Sequence, residues 1–211
     1  MRLPIMPLNG VHYPWMPIVL SIFEERYVAM LADVLAGAHV FGTALIAEGR
    51  EVGGPATPHP VGVEVMVARA WDLPDGSWRV VGVGRHRFSV DEMVAQEPYP
   101  VAEVRFEGLQ EASNDVPEAL ISDLRGLFEE HLALLQTLLG TPSAGLGIPF
   151  EPARLSYMVA AHLGIDLLSR QRLLEIPGAR GRLEVELELL KADLAKLRLF
   201  AAVTPSEPSR N

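Results

Sequence analysis

Cysteine is missing from the 211-residue chain, and lysine occurs only as Lys191 and Lys196 among 18 basic residues. Without cysteine there are no disulfides, no Cys-ligated zinc, no iron–sulfur clusters and no thiol nucleophile. Long apolar runs are missing too, since no window of about 18 residues escapes a charge or a Pro/Gly interruption. The opening MRLPIMPLNG carries neither a basic leader nor an apolar stretch of signal-peptide length. A soluble, cytoplasmic protein with no membrane partner is therefore expected. Positive charge is in deficit: the formal net charge of -9 opposes binding to polyphosphate and disfavours nucleic acid as a partner.

What is present suits a globular chain. Hydrophobic residues make up 49% and charged ones 21%, and the length allows one domain or a body with an appendage. From Leu3 to Gly108 short runs rich in Val, Ile, Phe and Trp are broken by Pro and Gly, which predicts strands. The clearest pair is Val61 to Trp71 and Ser77 to Gly84, joined by Leu73-Pro74-Asp75-Gly76 as a hairpin turn. In the first of these Val61, Val63, Val65 and Val67 alternate with Gly62, Glu64, Met66 and Ala68, giving one apolar and one mixed face. Further strands are expected at Leu3 to Leu8, Ile18 to Ile22, Val40 to Ala47, Arg87 to Glu92 and Tyr99 to Glu107. One helix interrupts them, Phe23 to Ala36, with Phe23, Tyr27, Met30, Leu31, Val34 and Leu35 on a single face that should lie across the sheet.

After about Leu109 the apolar period changes from two to 3.6. Asp115 and Glu118 look like a capping box for a helix that stops at Gly140. The stretch from Thr141 to Phe150 is expected as a loop. Shorter helices follow at Glu151 to Leu163 and Ser169 to Glu175. In a last helix, Arg180 to Phe200, Leu183, Leu187, Leu190, Leu194 and Leu197 form a narrow seam. Packing against the other helices is the plain use of that seam and a weak dimer is the other, so a monomer or weak dimer is expected.

The residues also carry a family resemblance. Leu3-Pro4-Ile5-Met6-Pro7-Leu8, Pro14-Trp15-Met16-Pro17 and Leu20 through Tyr27 resemble the opening of Lon N-terminal domains, where LPLFPL precedes FPGM and an IFEPRY-like helix start. Phe41-Gly42 with Leu45-Ile46, Val61-Gly62, Leu73 to Ser77, Val83 to Phe88, Tyr99 to Val104 and Leu173-Leu174-Glu175 are similar to later parts of that family, in the same order. The resemblance implies an α+β fold: a PUA-like β-barrel over residues 1–110, then a small C-terminal helical bundle with a long last helix over 111–203, and a disordered tail over 204–211. It also implies a stand-alone substrate-recognition domain of the ATP-dependent protease La family. Two features depart from the pattern: Trp15 stands where the family usually has Gly, and the chain stops where a full-length Lon would continue into its ATPase.

Enzyme chemistry finds no support. A Lon-type protease needs a nucleotide loop and a Ser-Lys dyad. No G-x-x-x-x-G-K-[ST] occurs, and both lysines fall on the last helix, where ion pairs to Glu188 and Asp193 are expected. Gly82-Val83-Gly84 lacks the third Gly of a dinucleotide loop and reads as a strand turning a corner. The histidines His12, His39, His59, His86, His131 and His162 show no metal-ligand spacing. No cofactor and no metal are expected.

Binding fits better. Tyr13, Trp15 and Met16 lie between Pro14 and Pro17 in a segment too short to fold over its own apolar groups. Together with Trp71 and Trp78, which flank the hairpin turn and would otherwise form a cross-strand pair, they are the candidate contacts to unfolded or partly folded protein segments. Delivery of such segments to a separate protease follows from the resemblance. The alternatives are a small ligand or RNA, the latter through Arg85 and Arg87, placed on one strand face opposite His86, with Arg79 and Arg69 near them.

Overall fold

The computed structural model describes residues 1–106, 115–140 and 147–203. The expected domain boundary near residue 110, residues 141–146 of the expected loop and the 204–211 tail lie outside these residues. The chain divides into two compact units, Met1–Gln110 with Ile165–Ile176, and Glu111–Gly164 with Pro177–Asn211.

The first unit holds β1 (Arg2–Leu8), β2 (Pro17–Ile22), α1 (Glu25–Ala36), β3 (Val40–Gly49), β4 (Ala56–Pro58), β5 (Val61–Asp72), β6 (Trp78–Ala95), β7 (Val101–Arg105) and α4 (Leu167–Glu175). The strands run in the order β1-β7-β6-β5-β3, and a parallel β1–β3 pairing closes the sheet into a ring. The other pairings are antiparallel, with β4 on β3 and β2 on β6. β6 is a single strand where the sequence suggested Ser77 to Gly84 and Arg87 to Glu92 as two. Its register against β5 and β7 shifts at several points, and such bulges let a strand bend without breaking. The glycines at this bend serve packing: a Cβ on Gly84 would collide with the Tyr13 carbonyl.

Alternation along the strands feeds two apolar clusters. Met6, Ile18, Ile22, Phe41, Val65, Val67 and Val80 pack with Tyr27, Met30, Leu31 and Val34 of α1, so the helix lies on the sheet as its apolar stripe demands. Leu3, Ile5, Phe88, Ala102 and Val104 form the second cluster. Phe88 fits there because Gly62 opposes it, and a Cβ on Gly62 would come within 2.5 Å of Phe88 Cζ. Each such buried side chain contributes roughly 1.5–3 kcal/mol. The helix begins two residues later than the apolar spacing suggests, which leaves Phe23 outside it and exposed.

The sequence groups α4 with the helices after residue 110, but its hydrogen bonds tie it to the strands. Arg87 Nη1 donates to the carbonyls of Leu174 (2.6 Å) and Ile176 (2.9 Å), Gln171 Nε2 to Val61 O (3.0 Å), and Tyr13 Oη to Arg170 O (2.9 Å). The Leu174 and Ile176 carbonyls lie at the C-terminal end of α4 and Val61 at the start of β5, where main-chain groups need partners once buried.

The second unit contains α2 (Glu118–Leu139), α3 (Pro152–His162) and α5 (Ala179–Val203). The expected capping box is not formed: α2 starts from Pro117 with no side-chain cap, and Asp115 accepts from Arg180 at 3.2 Å instead. Gly140 ends α2 at φ 63°, and Glu151 caps α3. Leu183, Leu190 and Leu194 of the leucine seam are buried within this unit, as are Leu124 and Phe128 of α2 and Leu155 and Val159 of α3. Lys191 pairs with Glu188 at 2.7 Å, but Asp193 turns inward and accepts from His131 Nε2 at 2.9 Å, so it is not the expected lysine partner.

Candidate functional site

The five aromatic and Met candidates are not brought to one surface. Tyr13 is buried, its hydroxyl spent on Arg170, so it is not presented to a partner. Trp78 packs on the α1 cluster, directly opposite Asp72, while Trp71 opposes Arg79 one step along the ladder. The two indoles therefore take opposite faces and are not a cross-strand pair. Trp71 is 45% exposed, Trp15 is 41% exposed and Met16 is half-buried. Trp15 has φ 61°, a left-handed conformation that suits Gly, and its N–H donates to Gly84 O at 2.7 Å.

The two arginines proposed for RNA also separate. Val63 pairs with Arg87 and Val65 with Gly84, so Arg85 and His86 together oppose the single residue Glu64. That bulge cancels the expected alternation. Arg85 lies 3.6 Å from Glu64, whereas Arg87 is buried with its guanidinium on α4 carbonyls and cannot meet a phosphate.

What gathers instead is a three-strand face on β2, β6 and β5. The register sets Pro17, Val83 and Met66 in one row, Val19, Val81 and Arg69 in the next, and Ser21, Arg79 and Trp71 in the third. Val19 is 59% and Met66 42% exposed, and Val81 and Val83 are half-buried between them. Trp15 precedes the first row. The opposite faces of these strands fill the α1 cluster, so one side of the sheet is committed to the core and the other presents apolar groups to water. Sequence alternation had marked Met66 as lying on the mixed face of its strand. Val19 carried no such mark, because in Pro17–Ile22 both faces are apolar.

Among the described residues β2 pairs with β6 alone. Its other edge is without a strand partner, which leaves main-chain donors and acceptors available. A cavity of about 280 Å³ opens beside this strand's end, lined by Met6, Leu8, Ile22, Phe23, Tyr27 and Val52, with Glu24 and Glu51 among its walls. Glu24 already accepts from Arg26 (3.1 Å) and from the Gly53 N–H (3.1 Å), which holds the loop beside it. Burial and the carboxylates of Glu24 and Glu51 push the Tyr27 hydroxyl up, against the pull of Arg26. Burial lowers the His12 imidazole to about 4, beside Thr43 Oγ1 at 3.2 Å.

Nothing in this arrangement is a nucleophile beside a base. Among the described residues no group of three or more His, Asp and Glu is placed to hold a metal ion, and no helix is long and apolar enough to cross a membrane. The geometry offers apolar contact, an open strand edge and a side-chain-sized cavity.

Comparison with known proteins gives a consistent picture. A family model described as the ATP-dependent protease La (LON) substrate-binding domain matches residues 2–192. Lon protease of Solibacter usitatus is 30% identical over 201 residues, covering 94% of this chain and 25% of that protein. Lon protease of Flavobacterium johnsoniae is 27% identical over 206 residues, covering 93% and 25%. The chain thus spans about a quarter of the length of these curated relatives. The crystal structure of a Lon N-terminal domain protein from Xanthomonas campestris matches with TM-score 0.68 at 23% identity, covering 89% of this chain and 98% of that one. The N-terminal domain of Mycobacterium avium complex Lon protease matches with TM-score 0.71 at 16% identity, covering 90% and 98%.

Proposed function

Because the chain belongs to the family of Lon substrate-binding domains, we propose that it binds extended, unfolded protein segments without catalysis and presents them to a protease. The observation that carries this reading is the exposed apolar face of β2, β6 and β5 beside the open edge of β2. An incoming segment adds as a strand to β2, main chain to main chain, which makes no demand on sequence. Its alternate side chains lie along Trp15, Pro17 and Val19 on one side, while the other side meets the cavity lined by Met6, Leu8 and Ile22. Trp suits this work because it is broad and rigid.

Such contacts bury modest area, so single segments bind weakly and affinity grows with their number. The test is fluorescence anisotropy of a labelled, permanently unfolded protein titrated with the wild type and with a Val19→Asp variant. Val19 is exposed, so the variant keeps its fold, which circular dichroism verifies. Affinity should fall roughly tenfold, about 1.4 kcal/mol. Equal affinity in a folded variant contradicts the reading.

A further inference from the structure

The apolar face has a charged end, and its sign is opposite to that of the molecule. Arg69 and Arg79 are both exposed and are diagonal neighbours, Arg69 opposing Val81 and Arg79 opposing Trp71. Neither has a carboxylate within ion-pairing distance among the described residues. Several basic side chains elsewhere are matched, among them Arg2 to Glu103, Arg26 to Glu24, Arg85 to Glu64, Arg105 to Asp91, Arg180 to Glu184 and Arg198 to Glu130, while Arg50, Arg172 and Lys196 share with Arg69 and Arg79 the lack of an ion pair among the described residues. With a formal charge of -9 the chain has carboxylates in excess, yet among the described residues none pairs with these two guanidiniums.

We infer that this face selects extended peptides in which a run of apolar residues at alternate positions is bounded by an acidic residue, held by Arg79 in the positive field of Arg69. The inference rests on the peptide-binding reading above and adds its substrate class. A strand added to β2 has its solvent-side residues in the rows of Pro17, Val19 and Ser21. Apolar side chains then meet Trp15, Pro17 and Val19, and the next alternate position falls in the row of Ser21 and Arg79. Arg79 lies two strand spacings away, about 10 Å. Ser21, between them, is too short to block it, so the stretched guanidinium reaches over to a carboxylate. Arg69, one row back and a further strand spacing away on β5, does not reach that carboxylate but adds positive potential at this end of the face. A lysine at the same peptide position meets the like charge of Arg79 in the positive field of Arg69 and is rejected, which gives selectivity through repulsion as well as attraction.

Three fluorescein-labelled peptides test this, identical in alternating Val and Phe positions and carrying Glu, Gln or Lys at the terminal alternate position. For the wild type the Glu peptide should bind about fivefold tighter than the Gln peptide, the upper end of what an exposed charge contact supplies. The Lys peptide should bind weaker still, and the differences should shrink as salt rises. An Arg69→Glu, Arg79→Glu variant should invert the order. Should that variant lose its circular dichroism signal, Arg69→Gln, Arg79→Gln replaces it and should abolish the ranking. Identical affinities for all three peptides, in both proteins, overturn the inference while leaving peptide binding intact. If instead Val19→Asp leaves all three affinities unchanged, the underlying reading fails. Concentration-dependent dimerisation in sedimentation velocity that Val19→Asp removes would assign the face to a second copy and overturn both.

Discussion

Trp71 stands directly across the β5–β6 ladder from Arg79, and Trp78 from Asp72, so two tryptophans that flank one turn face opposite ways. Trp78 belongs to the core and Trp71 to the solvent face. Trp78→Ala should therefore destabilise the fold by roughly 2–3 kcal/mol, less than a fully buried tryptophan would cost. Trp71→Ala should stay within about 0.5 kcal/mol of the wild type. Urea unfolding of both variants separates the two roles, and equal stability losses would be inconsistent with the register.

Trp15 occupies a left-handed backbone position, at φ 61°. A residue with a Cβ pays about 1–2 kcal/mol there. Trp15→Gly should be at least as stable as the wild type in thermal unfolding and should bind unfolded segments less well. Trp15→Val, β-branched at the same φ, should lose stability. A Trp15→Gly variant that melts well below the wild type would show that the indole itself holds this loop in place.

Much of the fold was legible because strand alternation and the helical period follow directly from which face is buried. The α1 stripe of Tyr27, Met30, Leu31 and Val34 is the clearest instance. The three-residue β4, between prolines, is too short to show a period. The candidate site was less legible. Arg85 and Arg87 share a face only if the strand alternates without interruption, and a bulge opposite Glu64 breaks that rule with no local sequence mark. Tyr13 lies in a Pro-bounded apolar segment, as an exposed group might, but its hydroxyl finds a carbonyl 157 residues away in α4. Val19 is visible as a surface residue only once β2 is known to be an edge strand.

Arg87 should behave as a structural residue. Its guanidinium satisfies the Leu174 and Ile176 carbonyls at the end of α4. Arg87→Ala leaves them buried without these donors, at roughly 1–3 kcal/mol each. Hydrogen exchange should accelerate in Leu167–Glu175 before it does in β5 or β6. Unchanged protection of α4 would mean that other contacts dominate its docking.

His12 sets a pH dependence. Burial holds its folded value at about 4, below the ordinary 6.5, so the unfolded chain takes up the proton more readily. The neutral imidazole's contribution is complete above about pH 6.5, declines as the pH falls below that value and is lost as it passes about 4. His12→Gln should flatten the stability curve across this window relative to the wild type. Parallel curves for the two proteins from urea titrations at several pH values would rule out this role.

The location of peptide binding is the centre of the account, and amide hydrogen exchange with and without a saturating unfolded ligand tests it most directly. Main-chain pairing to an open strand predicts new protection in Pro17–Ile22 of β2, with little change in α2, α3 or α5. Protection confined to those helices, with β2 exchanging as it does in the free protein, would contradict it.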